Sequence, residues 1–255
     1  MLSFPEAFSL QGEIAVITGG GTGLGFGIAQ AFVKAGAAVV LVGRRPDVLA
    51  AAAERLGPSA SFEAHDVTEV DRAAELMSRI STHGGPPTIL VNNAGIHLKK
   101  AAIHTTEAEF RNVMETHVTA AFALVRAAAP AMIECRHGNV IFIASMASYF
   151  GIPNVIAYSA AKSAHLGLVR GLAVELGPGG IRVNAIAPGW IETPMLHKAM
   201  EADPGRKARV LGRTPMGRYG TAEEIGWAAV YLSSPAAAFV NGAILPVDGG
   251  AVIGF

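Results

Sequence analysis

Tyr158 and Lys162 stand four residues apart in an Ala-rich run, 157–176, with no proline before Pro178. If the run is helical, that spacing puts both side chains on one face. A free tyrosine titrates near about 10 and is a poor acid or base at neutral pH. An ammonium group held beside it favours the phenolate and lowers that value. The pair is therefore expected to give and take a proton under neutral conditions. Helices without chemistry carry the same spacing, so other residues have to decide. Ser145 lies 13 residues before Tyr158, at the end of an apolar run. Its hydroxyl could bond a substrate oxygen beside the tyrosine. Ser148 is close enough in sequence to be confused with it. A serine nucleophile is the weaker reading, because no G-x-S-x-G elbow surrounds Ser145 and no clear Ser/His/Asp order is present.

A second group of residues suits phosphate. Thr18-Gly-Gly-Gly-Thr-Gly-Leu-Gly25 follows a short apolar run, and a helical stretch follows it. Gly19, Gly23 and Gly25, with Gly21, Thr22 and Leu24 between them, allow a tight turn. Backbone N–H groups can then approach a pyrophosphate at a helix N-terminus. The spacing is G-x-x-x-G-x-G, not the strict G-x-G-x-x-G fingerprint, and the alternative is a glycine-rich turn without a ligand. Its place between strand and helix favours dinucleotide binding. The next apolar run ends Val42-Gly43-Arg44-Arg45. An acidic residue near here normally holds a ribose 2′-hydroxyl, and Gly43 supplies none. Arg44 and Arg45 could hold a 2′-phosphate, or be solvated arginines that open a helix. NADP(H) is favoured, with NAD(H) the alternative. Asp66, before Val67, could accept from an adenine amino group or cap a nearby helix. Asn92-Asn93-Ala94-Gly95 closes another apolar run, where asparagine and glycine also serve ordinary turns.

These residues need elements to position them. The runs 14–18, 39–43, 61–65, 88–92, 139–144, 182–187 and 243–247 read as strands. Helices are expected over 25–35, 47–56, 71–81, 107–134 and 156–176, with an irregularity near Pro130. Strands apolar throughout and alternating with helices predict an α/β fold, a Rossmann-type doubly wound parallel sheet of about seven strands with helices on both faces. No linker-like run divides residues 1–255, so a single domain is expected. In such sheets ligands bind beyond the carboxyl ends of the strands. Gly19, Asn93, Ser145 and Pro188 each follow a strand there.

Bulk composition narrows the partners. The 255 residues are 51% hydrophobic and carry 20 basic and 20 acidic side chains, so there is no basic surplus for nucleic acid. One cysteine, Cys135, excludes an intrachain disulfide and fits a reducing, cytoplasmic setting. The N-terminus lacks the pattern of a secretion signal, and no uninterrupted apolar stretch predicts a membrane span. No metal site is expected.

With these motifs in order, the chain resembles the short-chain dehydrogenase/reductase family over essentially its whole length. The matching residues are Thr18-Gly-x-x-x-Gly-x-Gly25, Asn92-Asn-Ala-Gly95, Ser145 with Tyr158-x-x-x-Lys162, and Pro188-Gly189 followed by Thr193. Arg213–Gly220, Glu223-Glu224, Phe239–Gly242 and Val247–Gly250 bring it nearest to gluconate 5-dehydrogenase-like members. The resemblance implies a nicotinamide-dependent oxidoreductase acting on CH–OH groups. Tyr158 would be the general acid or base, and Lys162 would lower its pKa and bind the nicotinamide ribose. Ser145 would polarise the carbonyl. Gly19, Gly23 and Gly25 would bracket the pyrophosphate, Asn93 would sit over the adenosine ribose side, and Asp66 and Val67 would meet the adenine. Ile191 and Thr193 would meet the carboxamide, and Arg44 would favour NADP(H). The family's usual asparagine is replaced by His117. In the family that residue completes a proton relay, partly through its main-chain carbonyl and a water, and the resemblance implies the same place for His117. His117 could titrate near neutral pH and join the relay, or be a packed core residue.

The expected substrate is a small polyol, sugar acid or related keto compound. A 3-oxoacyl-thioester reductase and a weakly active dinucleotide-binding regulator are the alternatives. His97, Met146, Asn154 and Trp190 are candidate pocket residues. Residues 190–213 would form a lid, with Trp190, Met195, Leu196 and Met200 as an apolar wall. The resemblance also implies a homotetramer or homodimer.

Overall fold

The computed structural model describes residues 2–193, 196 and 204–254. A four-residue helix, α1 (Phe4–Ala7), precedes one seven-stranded parallel sheet. The strands are β1 (Ile14–Thr18), β2 (Ala38–Gly43), β3 (Ala60–Ala64), β4 (Ile89–Asn92), β5 (Gly138–Ile143), β6 (Ile181–Pro188) and β7 (Ile244–Val247). Their order is β3-β2-β1-β4-β5-β6-β7. The helices are α2 (Gly23–Lys34), α3 (Pro46–Leu56), α4 (Ala73–Ser81), α5 (Glu107–Met114), α6 (Ala120–Glu134), α7 (Ile156–Leu176), α8 (Pro204–Arg213) and α9 (Ala222–Ser233). This is the expected architecture, and each strand begins and ends within one residue of its predicted limits.

Both sheet faces are apolar because successive side chains point opposite ways. On one face, Val16 of β1 belongs to the buried cluster that also holds Leu76 of α4, Leu124 of α6 and Val169 of α7. Its neighbours Ala15 and Ile17 belong to a second cluster, with Phe32 of α2, Leu49 of α3 and Ile225 of α9. Burying one such large apolar side chain contributes about 1.5–3 kcal/mol. A one-residue slip of β1 would exchange the two sets, so the buried faces specify the register.

The chain leaves β1 toward β2 and β3, then returns to β4 on the other side of β1. The loops after β1 and β4 therefore part and leave a crevice. Thr18 ties them together. Its Oγ1 donates to the Val91 carbonyl at 3.2 Å and accepts from the Asn93 and Ala94 amides, each at 3.0 Å. The Asn93 side-chain amide donates to the Thr18 carbonyl at 2.8 Å.

The expected long helix over 107–134 differs in detail. Thr106 caps α5 by accepting from the Glu109 amide. Between α5 and α6 the backbone widens into a π-helical turn, Glu115–Thr119. Pro130 lies inside α6 without ending it, so the irregularity is at 115–119 and not at the proline. By length and composition the stretch 107–134 could cross a bilayer. Its α6 residues Leu124, Val125, Ala128 and Met132 are instead buried in the protein core.

Candidate active site

Helix α7 spans the predicted residues and presents Tyr158 and Lys162 together. Lys162 is 3% exposed. Its Nζ donates to the Ile143 carbonyl, at the end of β5, at 2.6 Å, and lies 5.6 Å from the centre of the Tyr158 ring. Burial without a carboxylate partner pushes the ammonium down to about 7. Ser145 sits just beyond β5 and is also buried. Its Oγ accepts from the Ala147 amide at 3.1 Å, and its hydroxyl pairs with that of Tyr158. Ser148 differs in role. Its hydroxyl donates to the Lys162 carbonyl at 2.8 Å and tethers the helix.

The expected lowering of the Tyr158 pKa is not found. Burial raises it, and a hydrogen bond with Ser145 pulls the other way without overcoming that. The phenolate loses more hydration than its neighbours return, and Lys162 aims its ammonium at a carbonyl. Tyr158 is thus held as the neutral phenol. Burial likewise makes the Lys162 ammonium hold its proton less tightly than an exposed lysine does.

His117 lies in the π-turn and is 3% exposed. Its Nε2 is 2.8 Å from the Ile96 carbonyl and 3.1 Å from the Ile96 amide. One nitrogen serves these in different tautomers, and the shorter contact favours donation to the carbonyl. Burial first, then the charge of Lys162, push its imidazolium down to about 3. Of the two readings of His117, this supports the packed core residue over a ring that titrates near neutral pH. His117 is a packed neutral ring, edge-on to Tyr158.

Two adjoining cavities share Gly95 and Ile96. The first, about 410 Å³, is lined by Ser145, Tyr158, Lys162 and His117, with Leu24 and Asn93. Pro188, Gly189, Ile191 and Thr193 form another side of it, beside Trp190 and Leu196. Of the predicted substrate residues, His97, Met146 and Trp190 line it. The His97 ring is 5.1 Å from that of Tyr158. Asn154 does not line it. It takes a left-handed turn conformation, φ 66°, and its carbonyl accepts from the Lys100 amide. Met195 and Met200 fall outside the described residues. Lys99 joins the lining and was not anticipated; an exposed lysine on a loop gives no sequence signal of its own.

The second cavity, about 320 Å³, is lined by Gly19, Gly21, Thr22, Arg44, Arg45, Asp66, Val67, Ala94 and Gly95. Its floor fits a dinucleotide. Gly19 has φ 65°, and a Cβ there would crowd the Asn93 amide. A Cβ on Gly25 would overlap the Gly19 carbonyl, so Gly25 lets the loop fold onto α2. Gly25 thus supports the cradle from behind, and Gly23, with φ 55°, shapes its turn; neither lines the cavity. The Arg44 side chain is 70% exposed at the cavity wall, with Nη1 3.8 Å from Asp66 Oδ2. Asp66 accepts from the Thr68 amide and hydroxyl at 3.0 and 2.8 Å. Burial raises its pKa, but these bonds and Arg44 outweigh it and hold the carboxylate ionised. Among the described residues, no three His, Cys, Asp or Glu side chains group to hold a metal.

The profile of the family described as enoyl-(acyl carrier protein) reductase matches residues 19–252. The chain is similar to gluconate 5-dehydrogenase of Gluconobacter oxydans, 37% identical over 255 residues, with 99% of each chain covered. It is similar to 2-dehydro-3-deoxy-D-gluconate 5-dehydrogenase of Bacillus subtilis, 39% identical over 251 residues and 96% of each. A solved structure of a gluconate 5-dehydrogenase from Burkholderia cenocepacia, in complex with NADP and tartrate, superposes with a TM-score of 0.94 at 33% identity. It covers 99% of this chain and all of that one, at 100%.

Proposed function

The chain belongs to the short-chain dehydrogenase/reductase family, and from that premise we propose that it interconverts a secondary alcohol and a ketone on a small sugar acid or polyol with NADP(H). The observation that carries this reading is the meeting of Ser145, Tyr158 and Lys162 in a cavity that adjoins the glycine-floored cleft. Similarity to sugar-acid dehydrogenases supports the substrate class. So does charge: the cavity lining carries Lys99 and Lys162 and no acidic side chain among the described residues. A substrate carboxylate would be welcome there.

A nicotinamide cofactor, when bound, would supply or accept the hydride. The protein's part is position and proton transfer. In reduction, the ketone oxygen would lie against Ser145 and Tyr158. The Ser145 hydroxyl donates a hydrogen bond to that oxygen as negative charge builds. Tyr158, held in its protonated form, gives up its proton. Lys162 can return one, because burial makes its ammonium hold its proton less tightly. Oxidation runs the same transfers backwards.

Arg44 and Arg45 would meet the 2′-phosphate, and Gly43 offers no carboxylate to repel it. The lid expected over 190–213 falls partly outside the described residues; its Trp190, Ile191, Thr193 and Leu196 line the cavity. A homotetramer or homodimer would cover Val174 and Phe239, whose side chains stand exposed. A cytoplasmic setting fits an exposed free Cys135.

Purified protein tests this with NADPH and NADH against keto sugar acids, ketoses and a 3-oxoacyl thioester. NADPH oxidation with a keto sugar acid or ketose is the expected result. Turnover of the thioester alone would replace the substrate class. NADPH binding with no turnover across the panel would make the protein a nucleotide-binding regulator.

A further inference from the structure

His165 is 1% exposed and lies three residues after Lys162 on α7. Positions 158, 162 and 165 follow an i, i+4, i+7 pattern and share one helix face. The proton transfers described above give His165 no task. Its Nε2–H donates to the main-chain carbonyl of His117 at 2.8 Å. That carbonyl belongs to the π-turn Glu115–Thr119, where the wider register disturbs the ordinary helical ladder. The His165 ring also packs on Phe142 of β5, with centroids 5.3 Å apart. One side chain therefore links α7, the sheet and the turn.

The next link is the His117 ring, 5.6 Å from the Tyr158 ring and bonded to the Ile96 backbone. Burial, followed by the Lys162 charge, pushes His165 down to about 3, as it does His117. Both rings are neutral in the working range and neither is a proton carrier there. A neutral imidazole has one N–H, and bonding a carbonyl through Nε2 fixes the tautomer. Packing alone does not call for a nitrogen at 165, and a buried polar ring is costly unless its hydrogen bond is returned. A leucine would fill the space and leave the turn carbonyl without this donor.

We propose that His165 is a positioning residue for the proton transfer: by holding the His117 carbonyl it sets the π-turn, and through the turn the His117 ring that flanks Tyr158. This rests on the reading of Tyr158 as the proton donor. It also assigns the main-chain carbonyl at 117 a protein donor within this chain.

The test compares wild-type protein with His165→Leu and His165→Gln, since a glutamine amide can place an N–H where the ring Nε2–H stands. With NADPH and the best ketone of the panel, His165→Leu should lower kcat roughly tenfold or more, the scale of an ångström-level misplacement. KM for both substrates should stay within about twofold, and His165→Gln should recover most of the loss. In protein carrying 13C at the tyrosine ζ carbon, the Tyr158 resonance should move in His165→Leu and return in His165→Gln. An unchanged kcat in His165→Leu, a loss that glutamine does not repair, or a stationary Tyr158 resonance would each overturn the proposal. If wild-type protein turns over no ketone, the Tyr158 reading fails by itself, and the tyrosine resonance still decides whether the link exists. If His165→Leu does not fold, 15N spectra of the wild-type ring decide: the Nε2–H tautomer upholds the link and the Nδ1–H tautomer overturns it.

Discussion

The His117 ring stands edge-on to the Tyr158 ring, with centroids 5.6 Å apart and planes at 85°. Such a geometry sets the positive edge of one ring against the face of the other. It gives the phenol a fixed neighbour on the side where the family's asparagine is expected. His117 thus acts through shape, because its pKa of about 3 leaves it neutral.

Gly95 is the counterpart of that ring. A Cβ at this position would overlap it, and the three nearest atoms it would meet all belong to the His117 imidazole. Gly95→Ala is expected to cost about 1–3 kcal/mol of stability, as overpacking does, and to lower kcat. Adding His117→Ala should relieve most of that cost in denaturant titrations. Energies that add within about 0.5 kcal/mol would show that the two residues are not coupled.

Arg44 is exposed and only loosely paired with Asp66 at 3.8 Å, so its removal should cost the fold little. A charge-assisted contact to a 2′-phosphate is worth about 1.5–3 kcal/mol. Arg44→Ala should therefore raise KM for NADPH roughly ten- to hundredfold and leave KM for NADH unchanged. An unaltered NADPH-to-NADH ratio of kcat/KM would remove the case for Arg44.

Stability should depend on pH through the buried histidines. His117 and His165 are held down to about 3 in the fold and return to about 6.5 on unfolding. Between those values the unfolded chain binds more protons, so stability falls as pH drops below about 6.5. The slope reaches about 1.4 kcal/mol per pH unit for each histidine. Ordinary carboxylates contribute little above pH of about 5. His165→Gln should flatten the urea-derived stability curve between pH of about 6.5 and 5 by close to one proton. An unchanged slope would show that the ring is already charged or exposed.

Much of this was legible in the sequence because the signals were redundant. Strands apolar on both faces, such as 14–18 and 139–144, follow from burial on two sides, and helix 156–176 follows from its Ala-rich composition and following proline. The glycine loop and Ser145 appear just past the strand ends that predict them, and Tyr158 stands on the helix expected to carry it. What was not legible depends on tertiary surroundings. Burial decides the pKa of Tyr158 and His117, and a local spacing rule for Tyr158 and Lys162 leaves burial out. The π-turn at 115–119 carries no propensity signal as clear as Pro130, which nevertheless sits quietly within α6. Asn154 is polar and near the site in sequence, but its left-handed backbone puts it to use as a turn. His165 had no motif to mark it, and its role emerges only from its bond to the His117 carbonyl.

Tyr158→Phe tests the central claim most directly. NADPH oxidation with the best keto substrate should fall by about 10²–10⁴ in kcat, the usual share of a general acid. NADPH binding, followed by cofactor fluorescence, should stay within about twofold of wild type, since the ring and its packing remain. Full turnover by Tyr158→Phe would contradict the account.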